Sequence, residues 1–120
     1  MVNNYVFIIC SPNITMKLLF ICNQNQNRSR TAEEIFRGEY ETKSAGLYNE
    51  KPVTKEQLEW ADIVVVMEDS QRKEISRRFP EAYMKKKIIS LEIPDIYVYN
   101  DENLIRIIKQ KMDLDVKPVF

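Results

Sequence analysis

Residues 16–22, MKLLFIC, carry one charge and show no alternation of polar and apolar positions. A strand with one face in water alternates, so a run of this kind belongs to a strand covered on both faces. That demands a layer of structure on each side of the sheet. The remaining sequence supplies the layers. "YETKSAG" (40–46) and "KKIISLEI" (86–93) read as further strands, and "DIVVVME" (62–68) is the most β-prone stretch of the chain. Amphipathic patterns fall between and after them. Residues 29–37 place Ala32, Ile35 and Phe36 on one helical face, and 54–61 open with Thr54 and Gln57 at capping-box spacing. Residues 69–79 read as a helix with Asp69 or Ser70 as N-cap and Pro80 just past its end. A last helix over 100–112 turns Leu104, Ile105, Ile108 and Met112 inward. Strand and helix in alternation predict an α/β fold: a three-layer sandwich with a four-stranded parallel sheet between helices.

The chain has 120 residues, which suits one domain, assigned to 16–120, with residues 1–15 as an N-terminal extension or loose tail. Acidic and basic residues balance at 18 each, so no net field draws the chain to nucleic acid or to an anionic membrane. No apolar run approaches the roughly 20 residues of a membrane span. Two cysteines, Cys10 and Cys22, do not make a disulfide scaffold, and a reducing cytoplasm is the expected compartment. There is no histidine, which excludes Ser-His-Asp triads and His-ligated metals. Two cysteines cannot form a four-thiolate zinc site either. Chemistry must come from Cys, Asp, Glu, Lys, Arg, Tyr or the backbone, and no metal and no cofactor are expected.

One segment has the makings of a site. Directly after the first strand the chain runs Cys22-Asn23-Gln24-Asn25-Gln26-Asn27-Arg28-Ser29 and enters a helix. In a parallel sheet, ligands sit beyond the carboxyl ends of the strands, and a helix amino end attracts anions. A loop of this length can curl its N–H groups toward one centre, a nest for a tetrahedral oxyanion. Arg28 adds a planar fork that matches two phosphate oxygens. Cys22 lies at the base, in a positive field that suits a nucleophilic thiolate, and Ser29 is placed to donate a hydrogen bond to it. Asn25 tolerates the left-handed backbone that such a loop needs. The plainer reading is a core cysteine, a surface arginine and a serine cap.

The wider sequence bears on that choice. "FICNQNQNRSRTAEEIF", "SAG" (44–46), "PVTKEQLEWADIVVVMEDSQRKEI" (52–75) and "IPDIY" (93–97) resemble the low-molecular-weight protein tyrosine phosphatases, in the same order. The likeness runs from Met16 onward and is nearest to the short, predicted-phosphatase branch of that superfamily. It implies a flavodoxin-like topology, Cys22 as nucleophile, residues 23–28 as phosphate loop, Arg28 as phosphate binder and Asp95 as general acid. Asn25 and Ser29 match the family's loop-shaping Asn and thiolate-supporting Ser. Asp101 competes for the acid role but reads better as a helix cap, and Tyr97 and Tyr99 are candidate walls of the substrate pocket. The sequence departs from the family at several points. Ile96 replaces the Pro of the acid loop, Gln24 a loop Gly, Arg30 a Pro and Asn27 a second loop Cys, and the stretch between Gly46 and Pro52 is short. The implied partner is a phosphorylated substrate, either a phosphotyrosine protein or a small aryl or alkyl phosphate; oligomeric state is open. Two other functions stay open as well: a phosphate- or phosphoprotein-binding module without turnover, and an arsenate reductase, for which Cys10 would be the resolving thiol.

Overall fold

The computed structural model describes residues 15–115, with side chains to 113. The extension assigned to 1–15, and Cys10 with it, lies outside them but for Thr15. The strands are β1 (Lys17–Cys22), β2 (Glu41–Gly46), β3 (Ile63–Val66) and β4 (Lys87–Ser90). The helices are α1 (Arg28–Phe36), α2 (Lys55–Trp60), α3 (Asp69–Arg78), α4 (Pro80–Lys85) and α5 (Glu102–Asp115). The strands form one parallel sheet in the order β2-β1-β3-β4.

The unalternating first run is buried on both faces, as expected. Leu18, Phe20 and Cys22 of β1 join Ile63 and Val65 of β3 under α1 and α5, where Ala32, Phe36, Leu104, Ile108 and Met112 close the layer. Leu19 and Ile21 join Val64 and Val66 on the opposite face under Leu58 of α2, Ile75 of α3 and Ala82 of α4. The Phe20 and Phe36 rings stack with centroids 6.0 Å apart. Thr54 caps α2 with the predicted capping box: Gln57 N donates to Thr54 Oγ1 at 3.2 Å, and Thr54 N donates to Gln57 Oε1 at 2.9 Å.

Four local expectations are corrected. The N-cap of α3 is Glu68, in extended conformation, and Asp69 and Ser70 are already helical. Pro80 does not merely end α3; it opens α4, because a proline has no N–H to leave unpaired in a first turn. The fourth strand stops at Ser90, since Glu92 takes φ 55 and turns the chain. Leu91 N and Ile93 N still donate to Val66 O and Met67 O, at 3.0 and 2.8 Å, so this kinked segment stays beside the end of β3. Ile105 lies at the flank of the inward stripe of α5 and is half-buried rather than in the core.

The strand order reverses between β1 and β3. In open parallel sheets the crevice outside the carboxyl ends at such a reversal is where ligands bind. The segments that follow β1, β3 and β4 all meet there.

Candidate active site

The segment 23–27 leaves the end of β1 and delivers the chain into α1. Asn25 takes φ 55, and neither Gln24 nor any other residue of this segment has a positive φ, so the left-handed turn falls on the residue type that tolerates it. The base of the loop is tied to two neighbouring segments. Asn23 O accepts from Leu47 N at 2.9 Å and Tyr48 N at 2.8 Å. Asn23 Oδ1 accepts from Gln71 Nε2 at 3.1 Å. Gln71 is 1% exposed, and its Oε1 accepts from the backbone N–H groups of Met67 and Glu68 at 2.8 and 2.9 Å.

Cys22 is 3% exposed, with Sγ 2.9 Å from Ser29 Oγ. Ser29 Oγ also donates to Asn25 Oδ1 at 2.8 Å. A hydroxyl has one hydrogen, so this arrangement has the thiol donate to Ser29 Oγ. For a thiolate, the serine hydrogen must swing from Asn25 to sulfur.

Arg28 is 1% exposed, the largest fully buried side chain among the described residues. Its Nη1 donates to the Glu68 carboxylate and, at 2.7 Å, to Ile93 O, while Nε lies 3.7 Å from Asp95 Oδ1. Asp95 is 56% exposed. A cavity forms between the two loops, lined by Cys22, Gln24, Gln26, Asn27, Arg28 and Asp95. The structure thus brings Cys22, Arg28 and Asp95 together around one concave space, with Ser29 fully buried against Cys22. Of the segment 23–27, Gln24, Gln26 and Asn27 line it, whereas Asn23 and Asn25 brace the loop. Asp101 lies elsewhere, as the cap of α5: its Oδ1 accepts from Asn103 N at 2.7 Å and Leu104 N at 3.3 Å.

Tyr97 and Tyr99 are not brought into this cavity. Tyr97 packs against the core beneath α5, and Tyr99 lies under the Arg30 guanidinium, 5.3 Å from ring centroid to Cζ. Tyr97 is half-buried while Asp95, Ile96, Val98 and Tyr99 around it are exposed, Ile96 and Val98 at 74% and 68%. Sequence reasoning missed Glu68 and Gln71, although their spacing, Glu-x-x-Gln ahead of a helix, is a start signal.

Gly46 ends β2 against this loop. A Cβ there would sit 2.7 Å from Asn49 Oδ1 and 2.9 Å from Asn23 O. Gly46→Ala should cost about 1–3 kcal/mol, as overpacking commonly does, and should weaken oxyanion binding because Asn23 must shift. Urea unfolding alongside a phosphate titration would check both; unchanged values would mean that the backbone yields freely.

No protein-family model matches the chain, and no curated protein matches it. Solved structures do. A low-molecular-weight protein tyrosine phosphatase from T. tengcongensis superposes with a TM-score of 0.66 at 23% identity, over 83% of this chain and 95% of its own. The arginine phosphatase YwlE from Geobacillus stearothermophilus gives 0.66 at 23%, over 82% and 87%. Vibrio vulnificus Wzb, solved with benzylphosphonate, gives 0.70 at 19%, over 84% and 97%. The chain has the fold of the low-molecular-weight protein tyrosine phosphatases.

Proposed function

We propose that the chain is a cysteine-dependent phosphomonoester hydrolase that works through a phosphocysteine, with a phosphotyrosine protein or a small aryl or alkyl phosphate as substrate. The observation that carries this reading is the meeting of Cys22, Arg28 and Asp95 around one cavity, with Ser29 Oγ 2.9 Å from Cys22 Sγ. A phosphoryl group seated in the loop would have Sγ beneath it, loop N–H groups and the α1 amino end around its oxygens, and Asp95 at the open side. Attack by the Cys22 thiolate forms the S–P bond as the bond from phosphorus to the leaving oxygen breaks, and Asp95 gives that oxygen its proton. Arg28 and the loop N–H groups hold the three equatorial oxygens while charge shifts among them. Water then attacks phosphorus, Asp95 takes its proton, and the S–P bond breaks to release inorganic phosphate.

The solved relatives are named for different phosphorylated residues, tyrosine and arginine, so the fold leaves the leaving group open. The test is hydrolysis of para-nitrophenyl phosphate by the full chain, with vanadate as inhibitor. Vanadate-sensitive hydrolysis supports the reading. Vanadate binding without hydrolysis would return the site to a phosphate-binding module. Asp95→Asn should lower kcat by about 10²–10⁴-fold, the usual share of general acid–base help, and leave vanadate binding in place. An unchanged kcat would remove Asp95 from the mechanism.

A further inference from the structure

The loop that carries Asp95 is pinned at both ends. At its start, Ile93 N donates to Met67 O at 2.8 Å, and Ile93 O accepts from Arg28 at 2.7 Å. Its far end is held by a side chain with no part in the chemistry above. Thr31, in the first turn of α1, is fully buried. Its Oγ1 donates to Asn27 O at 2.7 Å and accepts from Asn100 N at 2.8 Å. Asn27 lines the cavity, and Asn100 takes φ 63 where the loop turns into α5. One hydroxyl therefore joins the phosphate loop to the acid loop, using both its donor and its acceptor capacity. Arg30 over Tyr99 adds a second, exposed contact between the same two segments.

We infer that Thr31 is a positioning residue: its hydroxyl bridge between Asn27 O and Asn100 N sets the distance from Asp95 to the phosphoryl group. The inference rests on the phosphatase reading. Its reasoning is geometric. Tyr97 packs this loop on the core, but Asp95 is 56% exposed and Ile96 and Val98 on either side of Tyr97 face solvent, so packing alone does not fix where the carboxyl points. Proton transfer requires the acid within hydrogen-bond reach of the leaving oxygen, and a small misplacement is costly. A valine at this position keeps the shape of threonine and loses both hydrogen bonds. Asn27 O keeps the bond from Thr31 N at 3.0 Å, so losing the hydroxyl releases the acid loop while leaving Cys22, Arg28 and the cavity lining in place.

The readout is dependence on the leaving group. Phenoxide, a more basic leaving group than para-nitrophenoxide, needs the acid more. For Thr31→Val, kcat/KM for phenyl phosphate should fall by about tenfold or more, within the 10²–10⁴-fold that the acid supplies in full. The fall for para-nitrophenyl phosphate should be several times smaller, and Thr31→Ser should restore both. Equal losses on the two substrates, or none, would overturn the inference, since a merely structural role does not distinguish leaving groups. A wild-type chain that hydrolyses neither substrate would overturn the phosphatase reading. The bridge would then be read from amide exchange at Asn100. Slow exchange in wild type and Thr31→Ser with fast exchange in Thr31→Val supports it; equal rates in all three overturn it.

Discussion

Cys22→Ser is expected to abolish hydrolysis and to leave phosphate binding in place. A serine hydroxyl occupies the same place but is not ionised near neutral pH, so the attacking group is lost. Removal of a catalytic nucleophile commonly costs on the order of 10⁶-fold in kcat, which puts the variant below detection. Binding should survive, because the groups expected to hold the oxyanion belong to the loop and to Arg28. Arg28 keeps its place through Glu68 and Ile93 O, independently of sulfur. Steady-state assay and equilibrium dialysis against phosphate separate the two effects. Turnover in the serine variant would mean another nucleophile; loss of phosphate binding would mean that the sulfur helps to shape the loop.

Arg28→Met should lower kcat by roughly 10³–10⁵-fold, the range seen where an arginine stabilises a transferring phosphoryl group. The stability effect is separate. Glu68 loses its partner, and breaking a fully buried pair costs about 3–5 kcal/mol. Glu68 is 36% exposed, so water recovers part of that, and a loss of about 1–3 kcal/mol is expected. Arg28→Lys keeps the charge near Glu68 but lacks the fork, so it should hold most of the stability and recover only part of the rate. Activity retained in Arg28→Met would show that the loop N–H groups suffice to bind phosphate.

How far the sequence exposed all this depends on the range of each signal. β1 was legible because five apolar positions in a row, Leu18 to Cys22, admit few interpretations, and the cap of α2 because Thr54 and Gln57 act within one turn. Asn25 could be assigned its left-handed turn for the same reason: the preference belongs to the residue itself. Expectations that relied on distant contacts did worse. Nothing local says that the chain after Ser90 follows β3 as far as Ile93 while Glu92 turns it out of the sheet. Nothing beside Gln71 in the sequence marks it for burial, yet it is buried because three polar groups converge on it, from Asn23, Met67 and Glu68. Tyr97 and Tyr99 were offered to the pocket as a pair; the fold spends one on the core and the other on Arg30. Pro80 carried two meanings, stop and start, and only the packing of α4 under the sheet chose between them.

If Cys22 is the nucleophile, a covalent bond forms between its Sγ and phosphorus during each turnover. The direct test mixes the full chain with para-nitrophenyl phosphate, stops the reaction in denaturant within one turnover, and maps the phosphoryl group by peptide mass analysis. Phosphate is expected on Cys22 and on no other residue. Hydrolysis that proceeds with Cys22 never modified, or with the phosphoryl group on a different side chain, would contradict that expectation.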